Sequence, residues 1–444
     1  MCVKTTHHST PTRQARVFED AGTFERWIRL YLERKREEGP VVFLDSQLEG
    51  HEASRFGYIA ANPVDSVCAT AGNPRNQHAW NRLKTFHASH NDWMFGWLGY
   101  DLKNETEDLQ SHHPDPVGLP DLYFFVPGVL LWIDRQQRKI EVLKGDDEEL
   151  HSISGFNDTF HFEKPQLSDS MVSGDGWEAY RQKVNDIKAY ITQGDTYEVN
   201  LTHQLNSRFH GDSLDLFDSM RKAGPVPFAA WLHYGDTSVC CASPERFLEY
   251  KNGMIRSQPI KGTSPRGKNP EEDKQIVSEI LRKEKNRAEN VMIVDLVRHD
   301  LGQIARKNTV QVESLLEVQS FSTVHQLVST ITALPEDNIT PVEMIQACFP
   351  MGSMTGAPKI RTMEIIEQLE SYRRGIYSGA IGYFQPSGAF DFNVVIRTAV
   401  IRDDQLYYAV GGAITADSDP MEEWNESWLK ARALTLPLDP QKNK

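Results

Sequence analysis

The sequence predicts an α+β fold in which antiparallel strands, joined by hairpins, are covered by helices. The apolar and aromatic run at 247–257 is interrupted by Asn252-Gly253, the strongest short signal for a hairpin. Helical patterns separate this hairpin from other groups of strands. Three strand-like runs follow one another near the C-terminus, at 375–385, 389–402 and 405–411.

Residues 1 to about 165 are the less regular part of the sequence. Short apolar runs at 41–44 and 122–126 alternate with Gly, Asn, Asp and Pro, a pattern typical of strand-rich structure. The polar stretch at 144–174 is typical of a loop or linker. We therefore expect an N-terminal region over 1–165 and a second region over 170–440, the two forming one intertwined unit.

The second region opens with a clear helix. Four apolar residues from Tyr180 to Ile191 recur at helical spacing, and Gly194 follows as a stop signal. The run at 197–205 then reads as a strand.

Three later helices are marked by their first residues. Asn269 is a candidate cap, with Pro270 at the first helical position. Thr340 and Glu343 have the spacing of a capping box. The last predicted helix runs from Pro420 to about Leu434.

Composition and charge exclude several classes of protein. Among 444 residues, 48 are Lys or Arg and 62 are Asp or Glu, so the net charge is −14. This balance argues against general binding to nucleic acid or to an anionic membrane. The apolar run at 124–133 is broken by Pro127-Gly128 and is too short to span a bilayer. No GxGxxG or Walker pattern supports a nucleotide cofactor.

The N-terminus and the cysteines bear on localisation. The first residues are polar and lack the apolar core of a secretory signal. The five cysteines form no CxxC pattern, which disfavours a zinc site or a disulfide framework. We expect a cytoplasmic protein.

Three charged residues are candidates for chemistry or binding. Lys261, just after a strand in PIKGT, can act as a nucleophile if its pKa is lowered, although a surface lysine in a turn is the simpler interpretation of this motif alone. Glu245 in SPERF is a candidate general acid, or a partner of Arg246. Arg397 lies deep in a predicted apolar strand and needs a partner, which is either a carboxylate ligand bound through two hydrogen bonds or a structural salt bridge.

Several carboxylates are candidate metal ligands. Glu289 lies on a predicted helix, and Glu423 and Glu426 share a face of the last helix. Carboxylates from two helices, completed by water and substrate oxygens, suit Mg²⁺. An ordinary surface pair between Glu426 and Lys430 is the competing interpretation.

Two glycine-rich segments are candidate anion sites. The segment 352–359 leads into a helix start, where free N–H groups favour an anion. Gly411-Gly412-Ala413 offers backbone donors at the end of a strand. Both segments also fit ordinary turns.

Eight motifs in sequence order resemble those of the chorismate-utilising enzymes, whose members make anthranilate, aminodeoxychorismate, isochorismate or salicylate. The resemblance is dense from about 176 to 434 and thinner at 43–63 and 95–101. The motifs are SPERF (243–247), PIKGT (259–263), RAENVMIVDLVRHDLG (287–302), STVHQLVS (322–329), MGSMTGAPKIRTMEII (351–366), IYSGAIGYF (376–384), FNVVIRT (392–398) and GGAITADSDPMEEWNE (411–426).

The resemblance implies two large antiparallel-rich sheets packed together with helices outside, and it implies a reaction. Lys261 stands where most branches have Ala, and lysine there is typical of the branch that makes 4-amino-4-deoxychorismate. In that reaction the lysine amine attacks C2 of chorismate while Glu245 protonates the departing C4 hydroxyl, and ammonia then enters at C4 and expels the lysine. Glu198 stands where salicylate-type enzymes have a lysine base, which counts against water as the nucleophile.

The resemblance also assigns ligand contacts. Glu289 and Glu426 match Mg²⁺ ligands, and Glu423 helps directly or through water. We expect the surrounding cations to lower the pKa of Lys261. Ser46 matches a possible tryptophan contact. The residues that match the chorismate-binding positions are His325, Ser353, Thr355, Tyr377, Arg397, Gly411 and Ala413.

A partner and two alternatives complete the sequence-based expectations. No glutaminase signature of Cys with a His–Glu pair is present, so we expect a separate glutaminase to supply ammonia, with free ammonia as a substitute. An anthranilate-forming enzyme is one alternative, which Lys261 opposes. A catalytically silent regulatory or binding subunit is the other, which the intact set of catalytic and metal-binding positions opposes.

Overall fold

The computed structural model describes residues 14–46, 56–72, 78–153, 164–321 and 324–438. The strands within these residues are β1 (Ala15–Val17), β2 (Val41–Asp45), β3 (Phe56–Ala69), β4 (Met94–Leu98), β5 (Leu122–Asp134), β6 (Lys139–Lys144), β7 (Gln166–Leu167), β8 (Val172–Ser173), β9 (Glu198–His210), β10 (Phe228–Tyr234), β11 (Thr237–Ser243), β12 (Arg246–Lys251), β13 (Met254–Gln258), β14 (Ile260–Pro265), β15 (Gln311–Ser320), β16 (Val324–Ala333), β17 (Gly356–Ala357), β18 (Ala380–Phe384), β19 (Phe390–Asn393), β20 (Thr398–Arg402) and β21 (Gln405–Ile414).

The helices of the same residues lie between these strands. They are α1 (Ala21–Glu38), α2 (His78–Ser89), α3 (Lys103–Thr106), α4 (Trp177–Gln193), α5 (Ser213–Ala223), α6 (Pro270–Arg282), α7 (Glu284–Gly302), α8 (Pro341–Cys348), α9 (Lys359–Leu369) and α10 (Pro420–Leu438).

The long strand β5 joins two arms of antiparallel sheet. One edge of β5 pairs with β3, and the first arm continues through β2, β10, β11, β20 and β21 to β9. The other edge pairs with β6 and β4, and from β4 the second arm continues through β18, β19, β12 and β13 to β16, which also pairs with β14 and β15. Strands therefore pair across the predicted boundary near residue 165, as β2 does with β10. The boundary itself stays a prediction.

Apolar side chains fill the space between the arms. Val42 and Leu232 of the first arm share one buried cluster with Trp97 and Ile381 of the second arm. Helices α1, α5 and α10 pack on the first arm, and α2, α7 and α8 on the second. The predicted α+β architecture of packed antiparallel sheets with outer helices is confirmed.

Most local signals in the second region predicted the right structure. Asn252 and Gly253 both have positive φ and connect β12 to β13 in a tight hairpin. Gly194 ends α4 in the left-handed conformation, and the Asn269 side chain caps α6. Thr340 forms the predicted capping box at the start of α8.

The run at 389–402 is not one strand as predicted. It divides into β19 and β20 because residues 394–397 leave the ladder, and Arg397 has a φ of 51°. A left-handed residue cannot continue a regular strand. Val395 instead exchanges backbone hydrogen bonds with Ser378 and Gly379, so the segment is held against the preceding turn.

Within the described residues, no helix is long and apolar enough to cross a membrane. The four cysteines found there, Cys68, Cys240, Cys241 and Cys348, are free thiols.

Candidate active site

Lys261 projects from an irregularity within strand β14, rather than following a strand as predicted. The register of β14 against β16 shifts at Lys261-Gly262, and Gly262 has a φ of 94°. Such a bulge redirects a side chain out of the regular alternation. The Nζ of Lys261 donates to Oε1 of Glu198 at 2.7 Å, and the Asn290 side chain holds the Lys261 carbonyl at 2.8 Å.

The charges around Lys261 are mainly negative. Burial alone would lower the pKa of Lys261, but the charges of Glu198, Glu289 and Glu245 and the hydrogen bond to Glu198 outweigh it. The pKa of the amine is therefore raised above its ordinary value. The expected lowering is wrong for this structure because the nearest charged groups are carboxylates rather than cations.

Glu245 lies in the short turn between β11 and β12. Its backbone N–H donates to the Ser243 hydroxyl, and its carbonyl accepts from Val394. The residue is only 4% exposed, and burial raises the pKa of its carboxyl to about 7, against the opposing effects of Ser353 and Lys261. A carboxyl with this pKa can donate a proton at neutral pH.

Arg397 is a half-buried cation at the break between β19 and β20. Burial lowers the pKa of its guanidinium, while the nearby Tyr408 and Glu245 oppose that effect. Tyr377 lies close to Tyr408, since it contributes to the electrostatic environment of that residue. No Asp or Glu among the described residues lies within ion-pair distance of Arg397. Within those residues, therefore, Arg397 forms no structural salt bridge.

Glu289 of α7 and Glu423 and Glu426 of α10 lie near these residues, and two lysines contact them. Lys285 of α7 lies between two of the carboxylates, with its Nζ 2.7 Å from Oε1 of Glu423 and 3.9 Å from Oε1 of Glu289. The predicted pair of Glu426 with Lys430 is also present, at 2.9 Å. Sequence reasoning missed Lys285, although its i,i+4 spacing to Glu289 is visible in the sequence.

The carboxylates fit a hard divalent cation. Oε1 of Glu289 is buried without a hydrogen-bond partner. A Cβ at Gly412 would lie 3.2 Å from Nζ of Lys430, 3.6 Å from Oε2 of Glu423 and 3.7 Å from Oε1 of Glu426, so both carboxylates and the Lys430 ammonium adjoin this glycine. Among the described residues, no three His, Cys, Asp or Glu side chains form a metal site by themselves. Mg²⁺ commonly takes one or two protein carboxylates and completes its shell with water and substrate oxygens.

Gly411 and Ala413 present backbone donors at an open edge of β21. Pairing of β21 with β20 ends at Tyr408, whereas pairing with β9 continues to the end of the strand. Lys430 donates to the Gly411 carbonyl at 2.8 Å, so that carbonyl faces away from β9. Because the N–H and C=O of one strand residue point to the same side, the N–H groups of Gly411 and Ala413 face this edge as well.

Ser353 and Thr355 lie in the segment before α9 but differ in their surroundings. Ser353 lies in the 3₁₀ turn Gly352–Met354, with its hydroxyl beside Glu245. The Thr355 hydroxyl donates to the carbonyl of Gly352 at 3.2 Å. This bond gives Thr355 a structural partner, and its substrate contact stays a prediction.

His325 is engaged elsewhere in the fold. Its Nε2 lies 2.9 Å from Oδ1 of Asp273 on α6, and its Nδ1 lies 2.8 Å from Oγ of Ser320 on β15. These contacts tie β16 to its neighbours and do not bring His325 to Lys261. Its role in binding substrate stays a prediction.

The family described as chorismate binding enzyme matches residues 39–436 of the chain. The chain belongs to this family. Aminodeoxychorismate synthase component 1 of Klebsiella aerogenes is 35% identical to it over 90% of this chain and 93% of that protein. The aminodeoxychorismate synthase of Streptomyces griseus is 41% identical over 78% of this chain and 50% of that protein.

Solved structures agree with the family assignment. Anthranilate synthase component I from Streptococcus pneumoniae superposes with a TM-score of 0.77 at 27% identity, covering 87% of this chain and 93% of that one. The isochorismate synthase MenF from Escherichia coli, at 17% identity and a TM-score of 0.74, shares the fold. The chain spans about half the length, or less, of the curated relatives from Arabidopsis thaliana, Streptomyces griseus and Oryza sativa.

One structural pair of this family member was missed by sequence reasoning. Arg374 makes two bonds to Glu370, at 2.8 and 2.6 Å, and donates to the carbonyls of Met354 and Asn200. The pair thereby fixes the segment before α9 against β9. The i,i+4 spacing of Glu370 and Arg374 was the available signal.

Ser46 lies in a different part of the enzyme. Its hydroxyl is buried without a hydrogen-bond partner and lines a cavity of about 890 Å³. Tyr58, Phe228 and the ion pair of Arg246 with Asp391 line the same cavity. Tryptophan as its occupant stays a prediction.

Proposed function

We propose that this chorismate-binding enzyme converts chorismate and ammonia to 4-amino-4-deoxychorismate, in the formation of 4-aminobenzoate for folate biosynthesis. The observation that carries the proposal is the position of Lys261. Its amine projects from the β14 bulge into the buried group that contains Glu245, whose pKa of about 7 suits an acid at neutral pH. Relatives over most of the chain bear the name aminodeoxychorismate synthase component 1.

The substrate is a dianion, and the site offers several positive groups. In our proposal Arg397 and Tyr377 hold the enolpyruvyl carboxylate, assisted by the backbone N–H groups of Gly411 and Ala413. A guanidinium binds a carboxylate through two parallel hydrogen bonds, which fixes orientation as well as position. The lack of an acidic partner for Arg397 among the described residues supports this role.

The carboxylates supply the other half of the binding site. Glu289 and Glu426, with Glu423 acting directly or through water, would hold Mg²⁺. When bound, the ion supplies positive charge that holds the ring carboxylate of chorismate. Without such a cation, the net charge of −14 and the nearby glutamates would repel a dianion.

Lys261 and Glu245 carry the proposed covalent steps. Lys261 first transfers a proton to an acceptor, and Glu198 at 2.7 Å is the nearest. The neutral amine then attacks C2 of chorismate, both ring double bonds shift by one position, and the C4–O bond breaks as Glu245 protonates the hydroxyl, which leaves as water. Ammonia adds at C4, both double bonds shift back, and the C2–N bond to Lys261 breaks. The Glu245 carboxylate takes the extra proton of the new amine, and Glu198 returns its proton to Lys261. Dividing one displacement into two easier steps is the usual advantage of a covalent intermediate.

We further propose that ammonia comes from a separate glutaminase in the cytoplasm. Several bacterial relatives are named component 1, which implies a second component. Free ammonia should replace that partner at high concentration.

The test is to incubate the protein with chorismate, Mg²⁺ and an ammonium salt, with and without added aminodeoxychorismate lyase. We expect 4-aminobenzoate only when the lyase is present. Lys261→Ala should lower its formation by about 100-fold or more. Lys274→Ala, on the exposed face of α6, is the matched control and should keep wild-type activity.

Other outcomes decide between the alternatives. Fluorescent anthranilate formed without the lyase would show an anthranilate-type enzyme. No consumption of chorismate, either with ammonium or with a glutaminase and glutamine, would favour a catalytically silent subunit.

A further inference from the structure

Lys285 lies where two helices bring their carboxylates together. Its Nζ is 2.7 Å from Oε1 of Glu423 on α10 and 3.9 Å from Oε1 of Glu289 on its own helix α7. The same oxygen of Glu423 also accepts a hydrogen bond from the Ser418 hydroxyl at 2.7 Å. The Lys285 ammonium therefore lies between two acidic groups of the candidate cation site, Glu289 and Glu423.

The contact between Lys285 and Glu289 is incomplete. Oε1 of Glu289 is buried without a hydrogen-bond partner, because the ammonium lies too far away to donate to it. The Lys285 side chain is 44% exposed, so it reaches the buried carboxylates from solvent. A lysine stem is flexible enough to withdraw along the same path.

The neighbouring lysine, Lys430, is held differently. Its Nζ donates to Oε1 of Glu426 at 2.9 Å and to the Gly411 carbonyl at 2.8 Å, so two groups on different elements fix it. Lys285 has one short contact and one long contact. Of these two lysines, Lys285 is the one whose ammonium can leave without breaking a second hydrogen bond.

We propose that Lys285 is an internal counter-cation that occupies the carboxylate site until a divalent cation binds and then withdraws toward solvent. The inference rests on the Mg²⁺ site of the proposed function. A divalent ion held by Glu289 and Glu426, with Glu423 acting directly or through water, would share these carboxylates with the ammonium, and like charges at short distance repel. Lys285 therefore weakens divalent-cation binding and sets the concentration at which the site fills.

The experiment measures Mn²⁺, a paramagnetic substitute for Mg²⁺, by electron paramagnetic resonance of the free ion, with the full chain and no chorismate. Lys285→Met should bind Mn²⁺ about tenfold more tightly than wild type, since the competing charge is gone. Lys285→Arg keeps the charge and should remain close to wild type. Lys274→Met loses the same charge on the exposed face of α6 and should leave the affinity unchanged.

Thermal unfolding gives a second measurement that does not depend on activity. In the presence of a chelator, Lys285→Met should melt at a lower temperature than wild type, because Glu423 and Glu289 lose their counter-charge. Saturating Mg²⁺ should raise its Tm by more than it raises that of wild type, since tighter binding stabilises the folded state further. Lys285→Gln provides the same test if the methionine variant folds poorly.

The outcomes separate this inference from the proposed function. Equal or weaker Mn²⁺ binding by Lys285→Met, with normal binding by wild type, would overturn the role of Lys285 and leave the proposed reaction intact. Absence of Mn²⁺ binding by both proteins would overturn the cation site and the inference with it.

Discussion

The buried Arg374 and the half-buried Arg397 place a guanidinium in opposite surroundings. Arg374 has a carboxylate partner in Glu370, at 2.6 and 2.8 Å, and two further backbone acceptors. Arg397 has the ionisable groups of Tyr408 and Glu245 nearby, but no Asp or Glu within ion-pair distance in the described part of the chain. The first arrangement is complete within the protein, whereas the second leaves the guanidinium free to take the anionic ligand that we propose.

The presence or absence of a carboxylate partner within the protein distinguishes a scaffold arginine from a candidate binding arginine. A buried charge is costly unless it is paired, so a fold that keeps an incomplete pair sacrifices stability. The cost is offset when a ligand supplies the missing partner. The comparison therefore predicts that loss of Arg374 affects stability and that loss of Arg397 affects binding.

The largest expected effect is on stability. Arg374→Met should lower the free energy of unfolding by about 3–5 kcal/mol, because Glu370 is left as a buried, unpaired charge. Urea denaturation followed by circular dichroism measures this change. The double variant Arg374→Met with Glu370→Gln removes both charges, keeps an acceptor for the Thr202 N–H, and should recover part of the loss. A loss below about 1 kcal/mol in the single variant would show that the pair is not an important part of the scaffold.

The second effect is on substrate binding. Arg397→Met should reduce kcat/KM for chorismate by about 100-fold, because a charge-assisted bidentate contact is lost. Its free energy of unfolding should stay within about 1 kcal/mol of wild type, since no ion pair is broken. Arg402→Met, on β20, is the control and should bind chorismate normally. A large loss of stability without loss of kcat/KM would reverse the assignment of the two arginines.

Much of the fold followed from local sequence signals, but the environment of the site did not. Asn252-Gly253, Gly194 and Asn269 predicted a turn, a helix end and a cap correctly because each of these residues sets its own backbone or satisfies a nearby N–H. Arg397 was placed in a strand because its apolar neighbours suggested one. The backbone beside it is held by hydrogen bonds between Val395 and the turn at 376–379 before β18, a pairing that the apolar pattern of the run does not show.

The electrostatics of Lys261 show the same limit. The motif around Lys261 indicated a special lysine, but the sequence could not show that Glu198 lies 2.7 Å from its amine. The two residues are far apart in sequence. They meet because the fold brings β9 of the first arm close to β14 of the second arm. Lys285 was missed for a related reason, since its contact Glu423 comes from α10, which is 138 residues further along the chain.

The third effect is a pH dependence that tests Glu245. Burial raises the pKa of this carboxyl from 4.5 to about 7, so the acid form that donates a proton is lost as the pH rises through 7. We expect kcat to fall about tenfold for each pH unit above that point. In Glu245→Gln this limb should disappear along with most of the activity.

Stability provides an independent measurement of the same group. A carboxyl with a raised pKa contributes stability that is fully present below its unfolded value and is lost as the pH rises through its folded value. The wild type should therefore lose stability between about pH 4.5 and 7 relative to Glu245→Gln, and the variant should be the more stable protein at pH 8. Parallel pH profiles of unfolding in the two proteins would contradict the raised pKa.

The smallest effect calibrates the scaffold without changing a buried charge. Thr340→Ala removes the side chain that accepts the N–H of Glu343 at the start of α8, and it should cost about 1 kcal/mol of stability. Because α8 packs Ile345 into the core beside the second arm, the helix should remain folded. Activity per folded molecule should equal that of wild type, as measured by kcat/KM for chorismate at a temperature well below the Tm. If kcat/KM fell as it does for Arg397→Met, the site would be sensitive to any loosening of the scaffold, and the separate roles of the two arginines could not be argued from kinetics alone.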